Sequence, residues 1–165
     1  MKKTLLLNII VLLTAFLFIA CDNSSSDDES SPITWDFEDQ VLQGKVGGYD
    51  WYHRGGYSFN GNNGTIGITL YAEEVVDYPC SLFSYNTNET VSFSFRENSR
   101  GVTILDNSGA TLQTVTLYDG SANRIATVGA YRIDSVTDDE ITGSIDAQFN
   151  DENNVNGYFT VDRCD

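Results

Sequence analysis

The side chains of this 165-residue chain that could do chemistry are one histidine, 24 carboxylates and a short aromatic run with an arginine inside it. His53 lies in Gly48-Tyr49-Asp50-Trp51-Tyr52-His53-Arg54. A catalytic triad needs a nucleophile held by such a base, and the sequence offers no nucleophile-elbow motif. His53 is therefore expected to be structural. Glycoside hydrolysis needs only two carboxyl groups about 5–10 Å apart. With 20 acidic residues after position 32, no pair can be singled out, and the chain is expected not to be an enzyme. Calcium takes six to eight oxygen ligands, which acidic loops can supply. The candidates are Asp138, Asp139 and Glu140, and Asp151 and Glu152 within Asn150–Asn154, although neither stretch matches an EF-hand. No other cofactor is expected. The aromatic run holds Tyr49, Trp51, Tyr52 and Tyr57 around Arg54. Strand alternation puts Trp51 on a core face, where a large ring is a major source of buried area, and turns Tyr52 and Arg54 the other way. Tyr52, Arg54 and Tyr57 are the candidate ligand-binding residues.

These residues must be positioned by strands. Val91, Phe93 and Phe95 alternate with Ser92 and Ser94, and Ile66, Ile68 and Leu70 alternate with Gly67 and Thr69. Ile141, Gly143, Ile145, Ala147 and Phe149 alternate with polar residues, as do Val155, Gly157, Phe159 and Val161. Period-two patterns place one face in a core and the other in water. Between the runs lie Asn60–Gly64, Glu97–Gly101, Asp106–Gly109, Asp119–Asn123 and Asn150–Asn154, whose Asn, Asp and Gly residues tolerate the positive φ of tight turns. The fold class expected is all-β, an antiparallel sandwich or barrel of about eight to ten strands. It occupies residues 33–165, long enough for one domain to bury about two-thirds of its unfolded surface.

The first 32 residues are of another kind. Lys2 and Lys3 precede an apolar run from Leu5 to Ile19, and Phe18-Ile19-Ala20 leads to Cys21. The run falls short of the roughly 20 residues that span a bilayer and has the flanks of a cleavable export signal. It resembles the lipobox of bacterial lipoproteins, which implies cleavage after residue 20 and acylation of Cys21. A secretory signal cleaved without lipidation is the alternative, because Phe18 is bulkier than the leucine usual there. Several acyl chains make a stable membrane anchor. Residues 21–32 then form an acidic, Ser-rich, disordered tether, with no apolar side chain between Asp22 and Ser31. Its Ser26-Asp27-Asp28-Glu29 cluster resembles the export signal of Bacteroidetes-type surface lipoproteins. That resemblance implies an outer-membrane location facing outward.

Loss of Lys2 and Lys3 with the signal leaves seven basic groups against 24 acidic ones. Such a charge excludes nucleic acid as a partner, since phosphates need a basic surface. Setting Cys21 aside for lipidation leaves Cys80 and Cys164. In an oxidising envelope these are expected to pair as a disulfide. A redox or metal role is the rival reading, but there is no Cys-x-x-Cys spacing, and one histidine is too few for the usual zinc ligands.

The stretch Ile141–Phe149 followed by Val155–Val161 and Cys164 resembles the C-terminal hairpin of a group of bacterial lipoproteins. Leu70-Tyr71-Ala72-Glu73-Glu74, with Asp77, Pro79 and Cys80 after it, resembles a second segment of the same group, with Tyr78 and two valines as departures. The resemblance implies a β-rich fold with a Cys80–Cys164 bridge and implies no activity. Asp134-Ser135-Val136 is similar to an O-glycosylation acceptor of Bacteroidetes envelope proteins. The function expected is that of a non-catalytic cell-envelope lipoprotein presenting a β domain for structural or interaction roles. Its partners would be the membrane, through the lipid anchor, and a glycan or envelope protein. The alternative is a glycan-binding accessory lipoprotein of a polysaccharide uptake system, and a carboxylate-based hydrolase ranks last.

Overall fold

A computed structural model describes residues 35–74, 80, 89–106 and 113–164. The signal, Cys21, the tether, Asp77–Pro79 and the turn residues 107–109 lie outside the described residues. The described residues form eleven strands: β1 Gln43–Val46, β2 Tyr49–Tyr52, β3 Gly55–Asn60, β4 Thr65–Tyr71, β5 Thr90–Arg96, β6 Gly101–Ile104, β7 Val115–Tyr118, β8 Asn123–Ala126, β9 Val128–Val136, β10 Glu140–Asn150 and β11 Asn153–Asp162. The fold is all-β. The four alternating patterns read from the sequence lie within β4, β5, β10 and β11. Phe149 departs from its pattern and is 46% exposed. A register shift between Gln148 and Asn150 breaks the alternation just before it would have turned inward.

The strands make one sheet in the order β6-β9-β10-β11-β3-β4-β5-β7-β8, with β1 bonded to β11 and to β2. Every strand pairing is antiparallel except that of β11 with β3, a parallel contact at Asp162 and Tyr57. The expected sandwich or barrel is thus a single curled sheet, a half-barrel of mixed direction. The parallel contact arises because two segments share one edge of β11. Its residues 154–156 pair with β1, Tyr158 bonds Gln40 and Leu42 through the backbone, and Asp162 meets β3. At the crossing stands Gly157 with φ 133°, where a Cβ would lie 2.5 Å from the Gln40 carbonyl oxygen. Only glycine allows that approach.

Curling lets a sheet with amphipathic strands bury its apolar face against itself. Phe93 of β5 lies 4.8 Å from Tyr131 of β9 and 5.7 Å from Phe159 of β11, between ring centroids. Four strands separate β5 from β9 in the sheet, so these contacts close the core across the curl. Trp51, Ile68, Leu70, Phe95, Leu117 and Ile145 fill the space around them. The turns follow their residue types. Gly47 and Gly48, with φ 64° and 84°, join β1 to β2 as a two-residue hairpin loop. Asp119 organises the β7–β8 turn, and its carboxyl is held well below the usual range. The Ser121 hydroxyl contributes most, then the Ala122 and Ser121 backbone N–H groups and Arg124.

Candidate functional site

The structure separates the residues that the sequence grouped. Tyr52 is 49% exposed on β2, on the face opposite buried Trp51. Arg54 follows β2, is anchored by its backbone N–H to the Tyr71 carbonyl, and lines a hollow of about 230 Å³ with Glu74, Thr160 and Asp162. Neither Tyr52 nor Tyr57 lines that hollow. Tyr57 sits half-buried on β3 between the rings of Phe59 and Tyr71, at 6.1 and 5.9 Å.

His53 acts as a stitch at the crossing of segments. Its backbone N–H donates to the Leu42 carbonyl, and its ring Nε2 lies 3.1 Å from the Thr160 carbonyl of β11. Burial lowers its pKa, opposed by backbone bonds at Thr160 and Gly55. A ring spent on a backbone carbonyl fits the structural role expected of it. Cys80 and Cys164 are joined as a disulfide, with Cα atoms 5.3 Å apart. The end of the chain is held further by the Cys164 N–H on the Ser58 hydroxyl and the Arg163 N–H on the Asp139 carbonyl.

The calcium candidates are exposed, in the turns on either side of β10, with Glu140 opening that strand. Around Asp138, Asp139 and Glu140, the Thr137 hydroxyl accepts the Asp139 and Glu140 N–H groups. Around Asp151 and Glu152, the Asn150 side chain accepts from the Glu152 N–H and the Asn153 amide. Among the described residues, no three His, Cys, Asp or Glu side chains converge as a metal site would require. Carboxylates do approach one another elsewhere. The Asn156 side chain receives the Glu38 N–H and donates to the Asp36 carbonyl, tying that segment beside Asp146. The Asp146 pKa is raised, first by burial and then by repulsion from Asp36 and Glu38.

A different hollow lies on the outer face of β4, β5 and β7. Register aligns Tyr57, Thr69, Ser92 and Thr116 in one row across four strands, and Phe59, Gly67 and Ser94 in the next. Of these residues Phe59, Thr69, Ser92, Ser94 and Thr116, together with Thr114, Ile68 and Phe93, line a depression of about 260 Å³. A Cβ on Gly67 would stand 2.1 Å from the Phe59 ring. The ring therefore lies against the bare glycine backbone, and Phe59 stays 42% exposed. Sequence reading missed Phe59, although Gly67 among the β-branched Thr65, Ile66, Ile68 and Thr69 was the available signal of close approach. No family model, curated protein or solved structure matches this chain.

Proposed function

We propose that this chain is a lipid-anchored protein of the outer membrane, facing outward, whose β domain works by binding and not by catalysis. The anchor is supported by Lys2, Lys3, the apolar run and Cys21. The binding reading is carried by one observation: the outer face of β4, β5 and β7 holds a hollow in which hydroxyl side chains surround the part-exposed Phe59 ring. The glycan-binding alternative draws support from the hollow beside Phe59 rather than from Tyr52 and Arg54. A Cys21→Ser variant tests the anchor. It should lose acyl labelling and leave the membrane fraction, while the parent should be shaved from intact cells by protease. Palmitate labelling that persists in the variant overturns the anchor at Cys21.

A further inference from the structure

We infer that the hollow beside Phe59 binds a neutral polysaccharide, the ring stacking on a sugar face and the surrounding hydroxyls bonding the sugar's own. This rests on reading the domain as a binding domain and not on its lipid anchor.

The ring is prepared for stacking. Gly67 lets it lie against the sheet, so one side is seated on backbone, Tyr57 lies beside it, and the residue stays 42% exposed. A ring fixed before binding loses little entropy when a ligand covers it, and its electron-rich face suits the polarised C–H groups of a sugar. The hydroxyls are equally available. Those of Thr69, Ser92, Ser94, Thr114 and Thr116 line the hollow, and among the described residues none of these five side chains has a hydrogen-bond partner. Each can donate and accept, as sugar hydroxyls do, so the two sets match without regard to which partner supplies the proton. Charge narrows the choice. Among the described residues none that lines the hollow is ionisable, while the chain carries a net charge of −15. An acidic polymer would be repelled by that net charge. A second copy of the chain fits poorly, because a stable protein interface needs about 800 Å² per partner around an apolar centre. Here five hydroxyls surround the Phe59 ring, and the other apolar residues of the lining, Ile68 and Phe93, are buried.

The test is affinity electrophoresis of the full chain, purified in detergent, through gels containing dextran, mannan, xyloglucan or laminarin, with polygalacturonate as the acidic comparison. At least one neutral polymer should retard it, and polygalacturonate should not. Phe59→Ala should weaken the retarding interaction about tenfold or more, as loss of a central aromatic anchor does. Ser94→Lys, which fills the hollow from an outward position, should abolish it. Tyr52→Ala should leave it unchanged. Thermal melts establish that each variant folds, and Ser94→Lys decides the matter if Phe59→Ala does not. Absence of retardation across the neutral panel, retardation by polygalacturonate alone, or self-association that Ser94→Lys removes would each overturn the inference. Sugar binding that survives both Phe59→Ala and Ser94→Lys overturns the site while leaving the binding reading in place. Acyl labelling at Cys21 is indifferent to all of these outcomes.

Discussion

Replacing both Cys80 and Cys164 by alanine should cost this fold about 4–5 kcal/mol, most of it through the unfolded chain. The bridge joins residues 84 apart, and the chain-entropy relation gives roughly that figure for a loop of this size. In the folded protein the last residues keep other attachments. The Cys164 N–H reaches the Ser58 hydroxyl at 3.3 Å, the Arg163 N–H reaches the Asp139 carbonyl at 2.8 Å, and Arg163 pairs with Glu97 at 2.6 Å. The native end of β11 should therefore stay where it is, and the loss should fall on the newly freed denatured ensemble. At about 3–5 °C per kcal/mol for a domain of this length, the melting midpoint should drop by roughly 15–20 °C. Urea unfolding, followed by tryptophan fluorescence, separates the contributions. A less compact denatured state exposes more surface, so the m-value should rise as stability falls. A loss below about 1 kcal/mol with an unchanged m-value would refute the loop-entropy reasoning. A full loss with an unchanged m-value would instead place the effect in native packing around Ser58.

Two further expectations concern pH. Burial holds the His53 pKa below its ordinary value, so the unfolded chain takes up a proton that the folded chain resists. The stability supplied by the neutral ring is present above about pH 6.5 and is lost as pH falls through the unfolded pKa toward the folded one. His53→Gln should flatten the urea midpoint against pH across that window, and an unchanged slope would remove His53 as its source. Asp146 has the opposite sign. Its raised pKa means the charged carboxylate is a burden on the fold at neutral pH, relieved as pH falls through the folded value toward about 3.8. Asp146→Asn should raise the midpoint at pH 7 and match the parent near pH 3. A lowered midpoint at pH 7 would show that the carboxylate has a favourable partner.

Legibility followed strand length and locality. β4, β5, β10 and β11 each run seven residues or more, enough for alternation to declare which side is buried. β1, β2, β6, β7 and β8 have four residues each, too few for a period to stand out. In β9, Ala130 and Tyr131 are both buried, which breaks the pattern. The hairpin of β1 and β2 was announced by Gly47-Gly48, a turn signal that stood among aromatics drawing attention to side-chain chemistry. Pairing order was beyond local reading altogether. Nothing in Tyr57 or Asp162 states that they will lie in parallel beside each other, because that contact follows from how the segment around Leu42 occupies the rest of the β11 edge. The candidate residues divide the same way. Cys80 and Cys164 could be paired by counting thiols. Phe59 could not be chosen, because its seat on Gly67 exists only once β3 and β4 are in register.

Outward-facing serine and threonine are ordinary on a solvated sheet, so hydroxyls alone say little about binding. The distribution of charge says more. The chain has 24 acidic residues, and the outer faces of β10 and β11 carry their share, with Glu140, Asp146 and Asp162 at or beyond partial exposure. The corresponding positions of β4, β5 and β7 read Thr65, Gly67, Thr69; Thr90, Ser92, Ser94; and Thr116, Tyr118, with Arg96 at one end. Solubility would be served as well by carboxylates there as on β10. The segment around Asp36 and Glu38 lies beside Asp146 and Asn156 on the acidic side, and packing there gives no reason for the Thr and Ser rows of β4, β5 and β7 to lack carboxylates. An uncharged ligand supplies a reason, since every carboxylate placed under it would have to shed water without gaining a counter-charge. The same logic explains Gly67. A threonine there would extend the hydroxyl row and suit the strand better, but it would lift the Phe59 ring off the sheet and close the seat on which the ring lies.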